Sequence, residues 1–210
     1  MCLGKHEWNA LCWLTPDPNR AGKFLRDHDK PGKRSQHARF LAEVVENSDR
    51  HREYAEWFRT LPLWLDLPGL RVVHACWQKS QMVTLLQATG GRCLPTYELL
   101  IAAGVFGSAE HEAVEITLKG VEVPLPAGMT FFDRGGTERS DTRIMWWQPE
   151  PRTFQNSALV DGDEVRSQLP NIALPHSTGI EPDTDPRPLV FGHYWATGTP
   201  RLQSPKSGMC

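Results

Sequence analysis

Three histidines in this chain each close a short apolar stretch. The segments are Cys2-Leu3-Gly4-Lys5-His6-Glu7, Arg71-Val72-Val73-His74-Ala75-Cys76 and Leu189-Val190-Phe191-Gly192-His193-Tyr194. Neutral imidazole is a common ligand for divalent metals, and its ordinary pKa near neutrality suits proton transfer. A single histidine after a strand is usually a packing residue. Three with the same placement point to one cleft, because ligands gather beyond the carboxyl ends of strands in α/β sheets. Gly4 and Gly192 permit tight turns beside it. Other constellations carry less. Asp27-His28-Asp29 sits in a basic loop, and Gly162-Asp163 lies in an acidic turn. His111-Glu112-Ala113-Val114-Glu115 lacks the second histidine of a zinc-protease helix and reads as an exposed helix face.

The elements around these histidines follow from local pattern. Met1-Cys2-Leu3 reads as the end of a strand, Gly4 as a turn, and residues 9–14 as the start of a helix. Residues 15–34 form a loop rich in proline, glycine and basic side chains. The spacing of Ala38, Leu41, Val44 and Val45, and of Tyr54, Trp57, Phe58 and Leu61, predicts two helices. Residues 61–67 and 70–75 read as a strand pair around a Pro68-Gly69 turn. Helices are predicted over 97–103 and 108–118, the second capped by Ser108 with Glu110 and Glu112 in its first turn. From 121 to 147 the pattern changes to strands, with turns at 126–128 and 134–136. Residues 149–187 read mostly as a long loop, 188–191 as a final strand, and 197–210 as a tail without a core-forming pattern. The mixture predicts a single α/β or α+β layered domain over residues 1–210.

Composition narrows the function classes. The chain has 210 residues, of which 40% are hydrophobic and 23% charged, as in an ordinary globular protein. A net charge of −2 gives no footprint for a nucleic-acid polymer, but a small phosphorylated ligand needs only a local positive site. Cys2, Cys12, Cys76, Cys93 and Cys210 show no zinc or redox spacing and predict reduced thiols in a cytoplasmic setting. The longest apolar run, residues 98–107, is too short to cross a membrane. Lys5, His6 and Glu7 fall where a signal peptide would be apolar. Trp8, Trp13, Trp77, Trp146, Trp147 and Trp195 read as core rather than as a ligand platform.

Several segments share a resemblance. Gly4-Lys5-His6-Glu7 resembles the Gly-Asn-His-Glu motif of calcineurin-like metallophosphoesterases, and Trp8-Asn9-Ala10-Leu11 continues it as in a bacterial branch. His74-Ala75-Cys76-Trp77 and Gly192-His193-Tyr194-Trp195 resemble that branch's later histidine motifs. Leu61-Pro62-Leu63, the stretch 118–126 and the stretch 143–147 extend the likeness in order along most of the chain. The branch is similar to protein serine/threonine phosphatases and to symmetrical dinucleoside-tetraphosphate hydrolases. The resemblance implies a β-sandwich flanked by helices, and hydrolysis of phosphate esters or anhydrides by a hydroxide bridging two divalent ions, Mn, Fe or Zn. By motif position, His74 and His193 are expected to bind the second metal and His6 to act as general acid; Arg143 and Lys119 are weaker candidates for holding phosphate, with solvated surface charge as the equal alternative. A dinucleoside polyphosphate or a phosphoprotein is the expected partner.

The chain also departs from that pattern. The family's Asp-x-His and Gly-Asp-x-x-Asp-Arg-Gly motifs belong before Gly4, where only three residues stand, so the first metal site is expected to be missing. The last strands after His193 are expected to be missing as well. Lys5 occupies the position of an asparagine ligand. An ammonium has three donors and no acceptor, so Lys5 is expected to weaken or abolish metal binding there. The expectation is an inactive or weakly active member of the family. The alternative is a non-catalytic remnant or binding protein of the same fold.

Overall fold

The computed structural model describes residues 1–133, 135–148, 151–160, 162–175 and 178–194, together with the backbone alone of Asp163 and of 207–209. Helix α1 (Lys5–Leu14) starts four residues earlier than its sequence pattern predicts. The Gly4 N–H donates to the Glu7 carboxylate at 3.0 Å, which is half of a capping box and fixes the first turn. Residues 1–3 form no strand: the Leu3 N–H makes one bond, to the Pro62 carbonyl at 2.8 Å. The basic loop ends at Lys30, because Pro31 supplies a preset φ for the first turn of α2 (Pro31–Val44). In α3 (Asp49–Arg59) the Ser48 hydroxyl accepts from the His51 N–H at 3.1 Å.

Of the expected stripes Leu41, Val44, Phe58 and Leu61 are buried, whereas Ala38, Val45 and Trp57 are exposed and histidines take their place. The inner faces of the two helices are His37, Leu41 and Val44, and His51, Ala55 and Phe58. Val45 is 65% exposed at a φ of 62°, and Trp57 is also exposed. The histidines pack as apolar rings against Phe40, and so the buried faces shift.

Strands β1 (Trp64–Leu67) and β2 (Leu70–Val73) form the expected hairpin, closing with Leu67 opposite Leu70. Helix α4 (Lys79–Ala88), which the sequence reading left unassigned, packs on α6 (Ala109–Lys119). Helix α5 (Tyr97–Ala103) and α6 stand where predicted, and the Ser108 hydroxyl caps α6 by accepting from the His111 N–H at 3.0 Å. His111 is half-buried, bonding the Ala103 carbonyl at 2.9 Å, so this face of α6 is not open surface. Next come β3 (Glu122–Pro124), β4 (Phe131–Phe132), β5 (Glu138–Arg139) and β6 (Asp141–Ile144). The expected long loop contains α7 (Phe154–Ser157), β7 (Ala158–Leu159) and α8 (Asp163–Gln168). Strand β8 (Leu189–Phe191) is not the final one, since β9 (Ser207–Met209) pairs beside it in parallel. The rest of the predicted tail, with Trp195 and Cys210, lies outside the described residues.

The result is mixed α/β, with three small sheets among the described residues: β1-β2-β8-β9, β3-β6-β7 and β4-β5. One apolar core joins the first two sheets to the helices, through residues such as Leu11, Leu99, Leu118, Ile144 and Phe191. Trp8, Trp13, Trp77, Trp146 and Trp147 are all buried in keeping with the core reading. Trp146 donates its indole N–H to the Ala75 carbonyl at 3.1 Å, tying the end of β6 to the end of β2. Arg71, fully buried on β2, reaches the segment before β8. Its guanidinium donates to both Asp183 oxygens at 2.8 and 2.9 Å and to the Arg187 carbonyl at 2.8 Å. Glu181 accepts from the Lys79 and Ser80 N–H groups at 3.1 and 3.2 Å, where α4 begins. Residues 181–187 are therefore fastened down, although their sequence reads as loop. Cys2, Cys12, Cys76 and Cys93 are free thiols. Among the described residues no helix is long and apolar enough to cross a membrane.

Candidate active site at the ends of β2 and β8

Strands β2 and β8 run parallel, with Val73 opposite Phe191. Both chains must therefore leave the sheet at the same end, one directly into His74 and the other through Gly192 into His193. The Gly192 N–H donates to the His74 carbonyl at 3.0 Å, and the two imidazole centroids lie 5.3 Å apart. Gly4 completes the corner. A Cβ on Gly4 would fall 2.9 Å from His74 Cε1 and 2.7 Å from a Glu7 oxygen, so only glycine allows this approach. The start of α1 is thereby pressed against His74. The first expected strand is replaced by a helix start, yet His6 and Lys5 still reach the same corner.

The backbone at His193 is in the left-handed region, with a φ of 70°. Holding a residue other than glycine there costs about 1–2 kcal/mol. Such strain persists where neighbours over-determine it and is concentrated at functional positions. His74 Nε2 is buried and has no hydrogen-bond partner among the described residues.

Charge around the corner is positive. Burial, then Lys5 and Arg143, push the His193 pKa down to about 3. His74 is lowered chiefly by burial, with Glu7 opposing and Lys5 adding to the effect. Lys5 is itself lowered by burial and by Arg143 and Lys119. His6 stands exposed at the mouth, and its pKa falls through partial desolvation and the charges of Lys5 and Arg26. All three imidazoles are thus neutral at pH 7.

The two phosphate-holding candidates differ in freedom. Arg143, half-buried on β6 opposite Glu122, has an Nε without a partner among the described residues. Lys119, at the end of α6, is held by both Glu115 oxygens at 2.5 Å. Sequence reasoning missed Arg26. It is 8% exposed and donates to Asn9 at 2.8 Å and Gln36 at 2.9 Å, one helical turn beyond His6. Its only sequence signal is its place in the basic loop, with Asn9 three residues after His6. Glu7 was also missed, although its spacing from Gly4 is that of a capping residue.

A two-metal centre does not fit this donor set. Among the described residues no group of three or more His, Cys, Asp or Glu side chains is placed to hold a metal ion. His74 and His193 offer two neutral donors, but Lys5 brings a cation with no lone pair. Asp27-His28-Asp29 contributes nothing here, because His28 is stacked between Trp13 and Phe24 at 3.9 and 4.4 Å.

No family model matches the chain, and neither a curated protein nor a solved structure does.

Proposed function

We propose that this chain carries the phosphoryl-binding corner of a metallophosphoesterase-type cleft and binds a phosphate ester or anhydride without turning it over efficiently. The convergence of Gly4–His6, His74 and His193 at one end of β2 and β8 is the observation that supports this reading most. Three segments distant in sequence, each resembling a motif of that family, come close at these strand ends, Gly4 against His74 and His193 beside it. The sandwich architecture implied by the family belongs to the same proposal, and the closeness of the β2 and β6 ends through Trp146 and Ala75 is compatible with it.

The chemistry favours binding over hydrolysis. Two divalent ions would supply the nucleophilic hydroxide in the complete centre that the resemblance implies. The described residues hold two of the required donors. A general acid works best here as an imidazolium, and burial and the Lys5 charge disfavour that form of His6. Glu7 already accepts the Gly4 N–H. A small phosphorylated molecule such as a dinucleoside polyphosphate, or a phosphoprotein, is the proposed partner.

The test pairs binding with turnover. Inorganic phosphate added to the chain should shift and broaden its ³¹P resonance, and His193→Ala should remove the effect. Bis(p-nitrophenyl) phosphate with added Mn²⁺ should release p-nitrophenol at close to the protein-free rate. Rapid Mn²⁺-dependent release that His74→Ala abolishes would restore the hydrolase reading. Absence of any phosphate effect would remove the cleft reading itself.

A further inference from the structure

We propose that Lys5 is a built-in cation of this cleft, and that Lys5 and Arg143 together take a phosphate oxyanion with no metal ion bound. This rests on the phosphoryl-binding reading above and adds what balances the ligand's charge. The groups whose charges are felt at this corner come from four elements, with Gly4 against His74 and the two imidazoles side by side fixing its centre. Lys5 is the first residue of α1, His74 follows β2, His193 follows β8, and Arg143 lies on β6. The close approach of Gly4 to His74 sets the start of a ten-residue helix at the same corner, where its end carries partial positive charge.

The carboxylates nearby are committed or out of contact. Glu7 caps α1 through the Gly4 N–H. Glu115 is taken by Lys119. Glu122 faces Arg143 across the β3–β6 pair and feels its charge, without an ion-pair contact between them among the described residues. The charges felt at Lys5 are those of Arg143 and Lys119, and the side chains felt at His193 are Lys5, Arg143 and the other two histidines. No carboxylate acts on either position strongly enough to figure among those influences. Keeping a half-buried Lys5 charged beside other cations is costly, and a bound anion relieves that cost.

The arrangement selects the class of anion. Arg143 offers a planar fork whose Nε is unpartnered, Lys5 a rotatable ammonium, and His74 a buried Nε2 without a partner. Donors arriving from several directions match a tetrahedral oxyanion better than a planar carboxylate, and charge-assisted bonds to phosphate are among the stronger ones. A divalent cation at the same corner would meet two like charges, so the ammonium and the metal are alternatives.

Titration calorimetry of the full chain with inorganic phosphate at low ionic strength separates the outcomes. In EDTA the affinity should equal that in Mn²⁺ within about twofold. Lys5→Met should weaken phosphate binding in EDTA about tenfold or more, while Lys5→Arg, which keeps the charge, should stay within about threefold. Arg143→Met should cost a comparable factor and reads the site independently should the Lys5→Met chain fail to fold by far-ultraviolet circular dichroism. Binding that appears only when Mn²⁺ is added overturns the built-in cation but leaves the phosphoryl-binding reading standing. Equal affinity of wild type and Lys5→Met in EDTA also overturns it. Binding in neither condition overturns both.

Discussion

His28, His37 and His51 lie among aromatic rings between α1, α2 and α3, whereas His6, His74 and His193 lie among cations at the ends of β2 and β8. In the first region His28 is stacked between Trp13 and Phe24. His37 lies 5.3 Å from Trp13 and 5.1 Å from Phe40, and His51 lies 5.6 Å from Phe40. Lowered pKa values do not distinguish the regions, since burial takes His37 down to about 4 and lowers His51 as well. Unpartnered ring nitrogens do not distinguish them either, because His37 and His51 each have a buried Nε2 without a partner among the described residues. The neighbours and the backbone do. The rings around His37 fill space, and His37 and His51 sit in ordinary helix. The charges felt at His193 are those of Lys5 and Arg143, and His193 is held in a strained conformation. A histidine's role is therefore read from what surrounds it rather than from its burial or protonation.

The sharpest break between the regions is expected in stability. Trp13→Ala removes a fully buried ring that carries the His28 stack, and should cost about 3–5 kcal/mol by urea unfolding. Phosphate affinity of the folded fraction should not change. A folded Trp13→Ala chain that loses phosphate binding would break the comparison.

Acid should act next and through both regions, since His193 is lowered as well, and His37 reads the share of the aromatic one. Folded His37 takes up its proton only near pH 4, against 6.5 when unfolded, so between these values the unfolded state binds more protons. Its contribution to stability is present above pH 6.5 and is lost as pH falls toward 4. The slope is about 1.4 kcal/mol per pH unit, or roughly 2 kcal/mol between pH 6.5 and 5. His37→Phe should shrink the difference between urea midpoints at pH 7 and pH 5 by this share, leaving that of His193. An unchanged difference would place the acid sensitivity elsewhere.

The smallest change should be the most telling. His193→Gly relieves the positive φ and should raise stability by about 1 kcal/mol in the same urea measurement, while phosphate binding is lost. Stability and binding moving in opposite directions would mark a residue kept for its chemistry. A loss of both would make His193 a packing residue like His37.

Much of the frame was legible because its signals are local. The Pro68-Gly69 hairpin, the Ser108 cap of α6 and the apolar strand β8 each announce themselves within a few residues. So did the pairing of His74 with His193, once both were seen to follow strands. What escaped depends on distant partners. Residues 1–3 look like a strand end but find one bond to Pro62 instead of a ladder. The inner faces of α2 and α3 could not be read because histidine counts as polar until aromatic rings close around it. Residues 181–187 have loop composition, and their order comes from Arg71 and from the start of α4. Arg26 escaped because nothing local tells a surface arginine from a buried one.

The long-range fastening of β2 bears on how the protein is made. Arg71 meets Asp183 across 112 residues of chain, and β2 has β8 as its parallel neighbour. A ribosome adds about 5–20 residues per second. For several seconds of synthesis, then, the nascent chain carries Arg71 with neither its carboxylate nor its neighbouring strand. The corner of His74 and His193 comes into being only once the segment 183–193 has been made, and a chaperone that shelters the β1–β2 hairpin during that interval would guard a strand that still lacks its neighbour.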